Sequence, residues 1–107
     1  MNNKEFTGKV LNLLSKAPDL KNFMQYADST TKTNALDAKT KELISLAVGI
    51  YAQCDDCINW HVEAAIKAGA TEEEIIDTLK ISVAMGGGPG LAHAVKAYDY
   101  YKTHVKS

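Results

Sequence analysis

The sequence predicts an all-α fold, and three observations support that prediction. The chain of 107 residues contains only two prolines, and it has no run in which β-branched residues alternate as in a strand. Apolar residues instead recur three or four positions apart, the spacing of one helical face. Capping residues and glycines divide the chain into segments of helical length. We therefore expect one domain over residues 1–107, with five to six helices and a central helix hairpin.

Two short helices are predicted before the hairpin. Apolar residues share one face of the first: Phe6, Val10, Leu11 and Leu14. The second helix opens at Pro18, since proline suits the first helical turn. Its apolar face has the same spacing: Leu20, Phe23, Met24 and Ala27. The polar residues 29–34 that follow predict a linker.

The central hairpin is predicted from its caps. Asp37 is the expected N-cap of a helix over residues 38–53. Its apolar stripe is Leu43, Leu46, Ala47, Ile50 and Tyr51. A second helix begins at Cys54 or Asp55 and runs to about Ala68, with Gly69 as its stop.

Thr71 and Glu74 have the spacing of a capping box, which predicts the start of a further helix. The glycine-rich residues 86–90 end that helix, and a last helix runs from about Pro89 to His104. Apolar residues are distributed broadly around this last helix, which favours contact with other subunits. We expect a homo-oligomer, a hexamer in preference to a trimer.

The composition argues against several classes of partner. The net charge is −1, and all 12 basic residues are lysines. Without arginine the chain lacks bidentate recognition of phosphate or guanine, so we expect no nucleic-acid binding. No apolar run reaches the ~18 residues that span a bilayer, and the N-terminus lacks a signal-peptide core. We expect a cytoplasmic protein without a membrane partner, where paired cysteines indicate catalysis or metal binding.

Both cysteines of the chain lie in one short run with a histidine. Cys54 and Cys57 are three positions apart, and His61 follows Cys57 by four. These spacings place two thiols and an imidazole on one helical face. A helix N-terminus favours the thiolate form, and His61 could accept the proton of a thiol and return it later.

Glu42 precedes the first cysteine by 12 residues. In a hairpin that turns near residues 52–54, Glu42 and His61 lie ~15 Å and ~11 Å from the turn, at 1.5 Å per residue. The carboxylate could then reach the imidazole, fix its tautomer and raise its basicity.

The residues alone leave other interpretations open. The protein could be a metal- or ligand-binding oligomer without turnover, in which Cys54, Cys57 and His61 bind zinc with Glu42 or water as the fourth ligand. The thiols could be inert, or Glu42 and His61 could transfer protons on a small organic acid without the cysteines. Of the other histidines, His93 could line the same cleft, although we expect it to pack or to cap a helix, and we expect His104 to be solvated.

The spacing of Glu42, Cys54, Cys57 and His61 resembles the signature of AhpD-like alkylhydroperoxidases in the carboxymuconolactone decarboxylase family. The resemblance extends over about residues 37–95, including the run from His61 to Ala65 and the glycine-rich residues 86–89. It implies an all-α fold, trimers or hexamers, and reduction of peroxide by a dithiol. The best-known peroxidases have a histidine between the cysteines, where this chain has Asp55 and Asp56.

The resemblance also implies a role for each residue. Cys57 attacks the hydroperoxide and Cys54 resolves the sulfenic acid to a disulfide, while His61 is the base and Glu42 its partner. The helix dipole favours Cys54 as the attacking thiol instead, so the residues themselves leave that order open. An external dithiol protein is the expected reductant, because the chain has no flavin or nicotinamide fingerprint and we expect no cofactor.

Overall fold

The computed structural model describes residues 1–106 and confirms the all-α prediction. Its helices are α1 (Asn3–Lys16), α2 (Leu20–Thr30), α3 (Ala38–Tyr51), α4 (Asp55–Lys67) and α5 (Glu72–Lys106). No strand occurs in this part of the chain. None of the helices within residues 1–106 combines the length and the apolar character needed to cross a membrane.

The α3–α4 hairpin begins and turns close to the predicted positions. The Asp37 carboxylate accepts a hydrogen bond of 2.7 Å from the amide of Thr40, so Asp37 is the N-cap of α3. The helix ends at Tyr51, two residues before the predicted position, and Gln53 has a left-handed φ of 57°. This conformation reverses the chain and lets Cys54 cap α4.

The predicted capping box is present at the start of α5. The amide of Glu74 donates to the hydroxyl of Thr71 at 3.1 Å, and the amide of Thr71 donates to the Glu74 carboxylate at 2.9 Å. The predicted interruption lies at Gly87, whose φ of 64° and ψ of −143° are not helical. Two helical halves, residues 72–86 and 88–106, therefore meet at a kink, and counting them separately gives six helices.

The core lies between α3, α4 and the two halves of α5. Its buried apolar residues are Leu46, Ile50, Ile58, Val62, Ala65, Ile75, Leu79, Ala94, Ala97 and Tyr101. Tyr51, expected in the buried stripe of α3, is 64% exposed, because it lies at the end of the helix beside the turn. Helix α1 packs against α4, whereas α2 has no buried residue.

Candidate redox site

Helix α4 starts at the two cysteines. The Sγ atoms of Cys54 and Cys57 form a disulfide, with the Cα atoms 5.2 Å apart. Cys54 is the N-cap residue, and its sulfur lies 3.2 Å from the amide nitrogen of Cys57. Cys57 is exposed while Cys54 is half-buried. Cys57 is therefore the more solvent-accessible residue of the pair.

The two helices of the hairpin lie in contact beside the disulfide. A Cβ atom built on the buried Gly49 would be 3.5 Å from the Cβ of Cys57. At this position α3 therefore passes the first turn of α4 at ordinary van der Waals distance.

Glu42 and His61 form a hydrogen bond across the hairpin. The Oε1 atom of Glu42 and the Nδ1 atom of His61 are 2.8 Å apart, and the side chains are 12% and 23% exposed. The contact expected from helix lengths is therefore present. A carboxylate accepts, so Nδ1 carries the proton and Nε2 is the ring nitrogen that can exchange a proton with a thiol. The catalytic roles of Glu42, Cys54, Cys57 and His61 stay predictions.

A charged cluster from α5 lies against the start of α4. The Lys96 ammonium donates to both Asp55 oxygens, at 3.2 and 3.3 Å. The Nε2 atom of His93 is 3.8 Å from Oδ1 of Asp55, and its Nδ1 donates to the carbonyl of Pro89 at 2.9 Å. His93 thus bonds to its own helix and faces the residue that follows Cys54. Lys96 could not be identified from the sequence, since no local pattern connects it with Asp55.

The charges of Asp55 and Lys96 also act on the phenol of Tyr100. Burial raises the pKa of its phenol, and the Asp55 carboxylate raises it further, with Lys96 acting in the opposite direction. The phenol therefore stays protonated and uncharged at neutral pH.

The expectation for His104 was wrong. Its Nε2 donates to the side-chain oxygen of Asn59 at 2.7 Å, and Nδ1 lies 3.8 Å from the Glu63 carboxylate. Asn3 completes this polar cluster by donating to the carbonyl of Asn59 at 3.1 Å and to Glu63 at 2.9 Å. The second half of α5 folds back along α4, and this path takes the terminal histidine out of solvent.

The structure provides no preassembled metal site in its described part. Across residues 1–106, no group of three or more His, Cys, Asp and Glu side chains is arranged to hold a metal ion. In this oxidised form both thiols are used in the disulfide, and Nδ1 of His61 is used by Glu42.

Comparison with known proteins decides the family. The sequence model of the Carboxymuconolactone decarboxylase family matches residues 19–100. This chain belongs to the carboxymuconolactone decarboxylase family. The assignment expected from the spacing of Glu42, the cysteines and His61 is therefore confirmed, and members of the family include enzymes.

Solved structures and a sequence relative agree with this assignment. A carboxymuconolactone decarboxylase family protein of Legionella pneumophila is 38% identical, with a TM-score of 0.90 over 95% of this chain and 92% of that chain. One from Thermotoga maritima is 28% identical, with a TM-score of 0.86 over 95% and 91%. An uncharacterised protein of Cupriavidus necator is 38% identical over 79 residues, which cover 74% of this chain and 70% of that protein.

Proposed function

We propose that this protein is a peroxidase-like dithiol oxidoreductase that reduces organic hydroperoxides. The observation that carries the proposal is the hydrogen bond between Glu42 and His61, one turn from a cysteine pair already joined as a disulfide. A nucleophile, a base and a residue that orients the base are the components of an activated thiol. The Thermotoga maritima relative has been suggested to take part in an antioxidative response, which is consistent with this activity.

The proposed oxidation proceeds in two steps. His61 takes the proton of Cys57, and the thiolate attacks the terminal oxygen of the hydroperoxide. The O–O bond breaks, Cys57 becomes a sulfenic acid, and the alkoxide takes the proton from His61 and leaves as an alcohol. Cys54 then attacks the sulfur of Cys57, the S–O bond breaks, and hydroxide leaves with a proton as water.

An external dithiol protein returns the site to its reduced form. Its thiolate attacks the sulfur of Cys57, the exposed residue of the pair, and Cys54 leaves as a thiolate. The second thiol of the reductant then displaces Cys57. Two electrons and two protons pass to the cysteine pair, and the disulfide moves to the reductant.

We further propose a homo-oligomer, a hexamer in preference to a trimer, without a bound cofactor. The support comes from large apolar side chains that the chain itself does not cover. On α2 they are Leu20, Phe23, Met24 and Tyr26, which are 40–69% exposed. On α5 an open groove of about 590 Å³ is lined mostly by apolar side chains.

The proposal is tested by mixing reduced, metal-free protein with an organic hydroperoxide and following the Cys54–Cys57 disulfide by mass. We expect rapid formation of one intramolecular disulfide. His61→Ala slows it about 10²-fold, the usual contribution of a general base, and Glu42→Gln slows it less.

The Glu63–His104 pair supplies matched controls, since it lies in the other polar cluster. Glu63→Gln and His104→Ala leave the rate unchanged. Thiols that stay reduced in the presence of hydroperoxide contradict the proposal. Zinc binding, or proton transfer on a small organic acid by Glu42 and His61, would then be the remaining interpretations.

A further inference from the structure

The first turn of α4 contains two opposing electrostatic influences on Cys54. The helix N-terminus favours a thiolate at the N-cap, because unpaired amides point toward it. The carboxylates of Asp55 and Asp56, which follow directly in the sequence, disfavour a second negative charge. A positive charge near these carboxylates opposes their effect on the Cys54 thiolate.

Lys96 supplies such a charge from the far end of the chain. It is separated from Asp55 by 41 residues, yet its ammonium contacts both carboxylate oxygens. His93, one helical turn earlier, approaches the same carboxylate with Nε2 at 3.8 Å. Asp55 thus contacts two side chains of α5, and it directly follows Cys54, the N-cap residue of α4.

We propose that Lys96 is a positioning residue of the redox site, which compensates Asp55 and thereby favours the thiolate of Cys54. This inference rests on the proposed dithiol cycle. When the reductant's thiolate attacks Cys57, the new S–S bond joins those two sulfurs and the Cys54–Cys57 bond breaks. The electron pair of the broken bond leaves on Cys54. Lys96 stabilises this leaving thiolate by neutralising the adjacent carboxylate.

The other ionisable groups near the start of α4 do not replace this charge. His93 carries a charge beside Asp55 only if its imidazole is doubly protonated, and Asp56 is itself negative. Tyr100 stays neutral because burial and Asp55 raise the pKa of its phenol. On the side of α3, Glu42 and His61 form their own pair. The positive charge that offsets the Asp55 carboxylate is therefore that of Lys96.

If Lys96 only stabilised the fold, its substitution would have a different effect from the one that an electrostatic role predicts. Lys96 and Asp55 side chains are 49% and 50% exposed, and exposed ion pairs contribute little to folding stability. Lys96→Met should leave the melting temperature nearly unchanged while it alters the reactivity of Cys54. A parallel loss of stability and reactivity would indicate packing instead.

The test measures the pH dependence of Cys54 alkylation by iodoacetamide in the full chain, reduced and carrying Cys57→Ser. Lys96→Met should raise the midpoint pH by about half a unit, the effect of a water-screened unit charge several ångströms away. Asp55→Asn should lower it, and the double variant should return close to the starting value. Lys102→Met, which removes the partner of Asp99 on the same helix, should have no effect.

A second measurement uses both cysteines. Dithiothreitol should open the disulfide about two- to threefold more slowly in Lys96→Met, because a more basic leaving thiol leaves more slowly. The proposal is overturned if Lys96→Met has the same midpoint pH of alkylation and the same rate of disulfide opening as Lys102→Met. It is also overturned if adding Asp55→Asn does not cancel the shift in midpoint pH that Lys96→Met causes. Neither measurement involves hydroperoxide, so a failed peroxidase assay and a failed role for Lys96 give distinct results.

Discussion

At the scale of single residues, the glycines of the run 86–90 have different functions. Gly87 adopts a φ of 64°, which L side chains rarely adopt and which produces the kink in α5. Gly90 is buried against the first half of the same helix, where a Cβ atom would lie 2.8 Å from the carbonyl oxygen of Ser82. Nothing lies within 4 Å of a Cβ at Gly88. The close crossing of the two halves therefore depends on Gly90.

Gly90→Ala should destabilise the fold by about 1–3 kcal/mol, the usual cost of inserting an atom into a packed site. The added methyl group meets backbone, which can move only if the two halves of α5 separate. Urea unfolding followed by circular dichroism measures the change. Gly88→Ala is the matched control and should be neutral or stabilising, since alanine favours the helix. Equal effects of the two substitutions would contradict the close crossing.

At the scale of secondary structure, Glu74 connects two helices. Its carboxylate accepts from the Thr71 amide in the capping box and forms an ion pair of 2.9 Å with Lys39 at the start of α3. The Lys39 side chain lowers the pKa of Glu74 below its ordinary value of 4.5, and the Thr71 amide lowers it further. The ionised carboxylate is thus favoured by the folded state.

This depressed pKa determines how stability changes with pH. A carboxylate with a lowered folded pKa stabilises the protein above its unfolded pKa, and that contribution is lost as pH falls through the folded value. Glu74→Gln should therefore melt at a lower temperature than the parent at pH 7, with a difference that shrinks below pH 4.5.

Thermal unfolding between pH 7 and pH 3 measures this effect. Glu73→Gln is the control, because it removes a neighbouring exposed carboxylate outside the capping box. The melting temperature of Glu74→Gln is compared with that of the parent at each pH. If the difference stays constant or grows on acidification, the ion pair and the cap do not favour the ionised carboxylate of Glu74.

At the scale of the whole molecule, α2 and the α5 groove remain uncovered by the rest of residues 1–106. Helix α2 has 11 residues and none of them is buried, whereas isolated helices shorter than ~12–15 residues are marginal in water. The groove on α5 includes Leu91 and Val95, each 55% exposed. Apolar surface on this scale is typical of a protein that buries it against other subunits.

Phe23→Asp should dissociate the proposed oligomer, because it places a charge in the apolar face of α2, where Phe23 is 65% exposed. Light scattering coupled to size-exclusion chromatography gives the mass directly. Val105→Asp is the control, since Val105 is a 51% exposed side chain on neither surface. A monomeric parent protein, or a variant of unchanged mass, would contradict the proposed contact through α2.

The helices and their caps could be predicted from the sequence because they depend on local contacts. The apolar spacing, Asp37 and the Thr71–Glu74 box act within one or two helical turns. The Glu42–His61 contact could also be predicted from the sequence, because one short turn joins α3 to α4. Helix geometry then sets how far each residue lies from that turn.

Tertiary structure alone decided which side chains α5 brings to α4. Lys96 meets Asp55 across 41 residues and His104 meets Asn59 across 45. Both contacts depend on the angle at Gly87 and on the close crossing at Gly90. That angle follows from the packing of three helices around one core, which no short stretch of sequence specifies. The sequence determined the cysteine pair and its histidine, whereas the folded chain determined the charges that surround them.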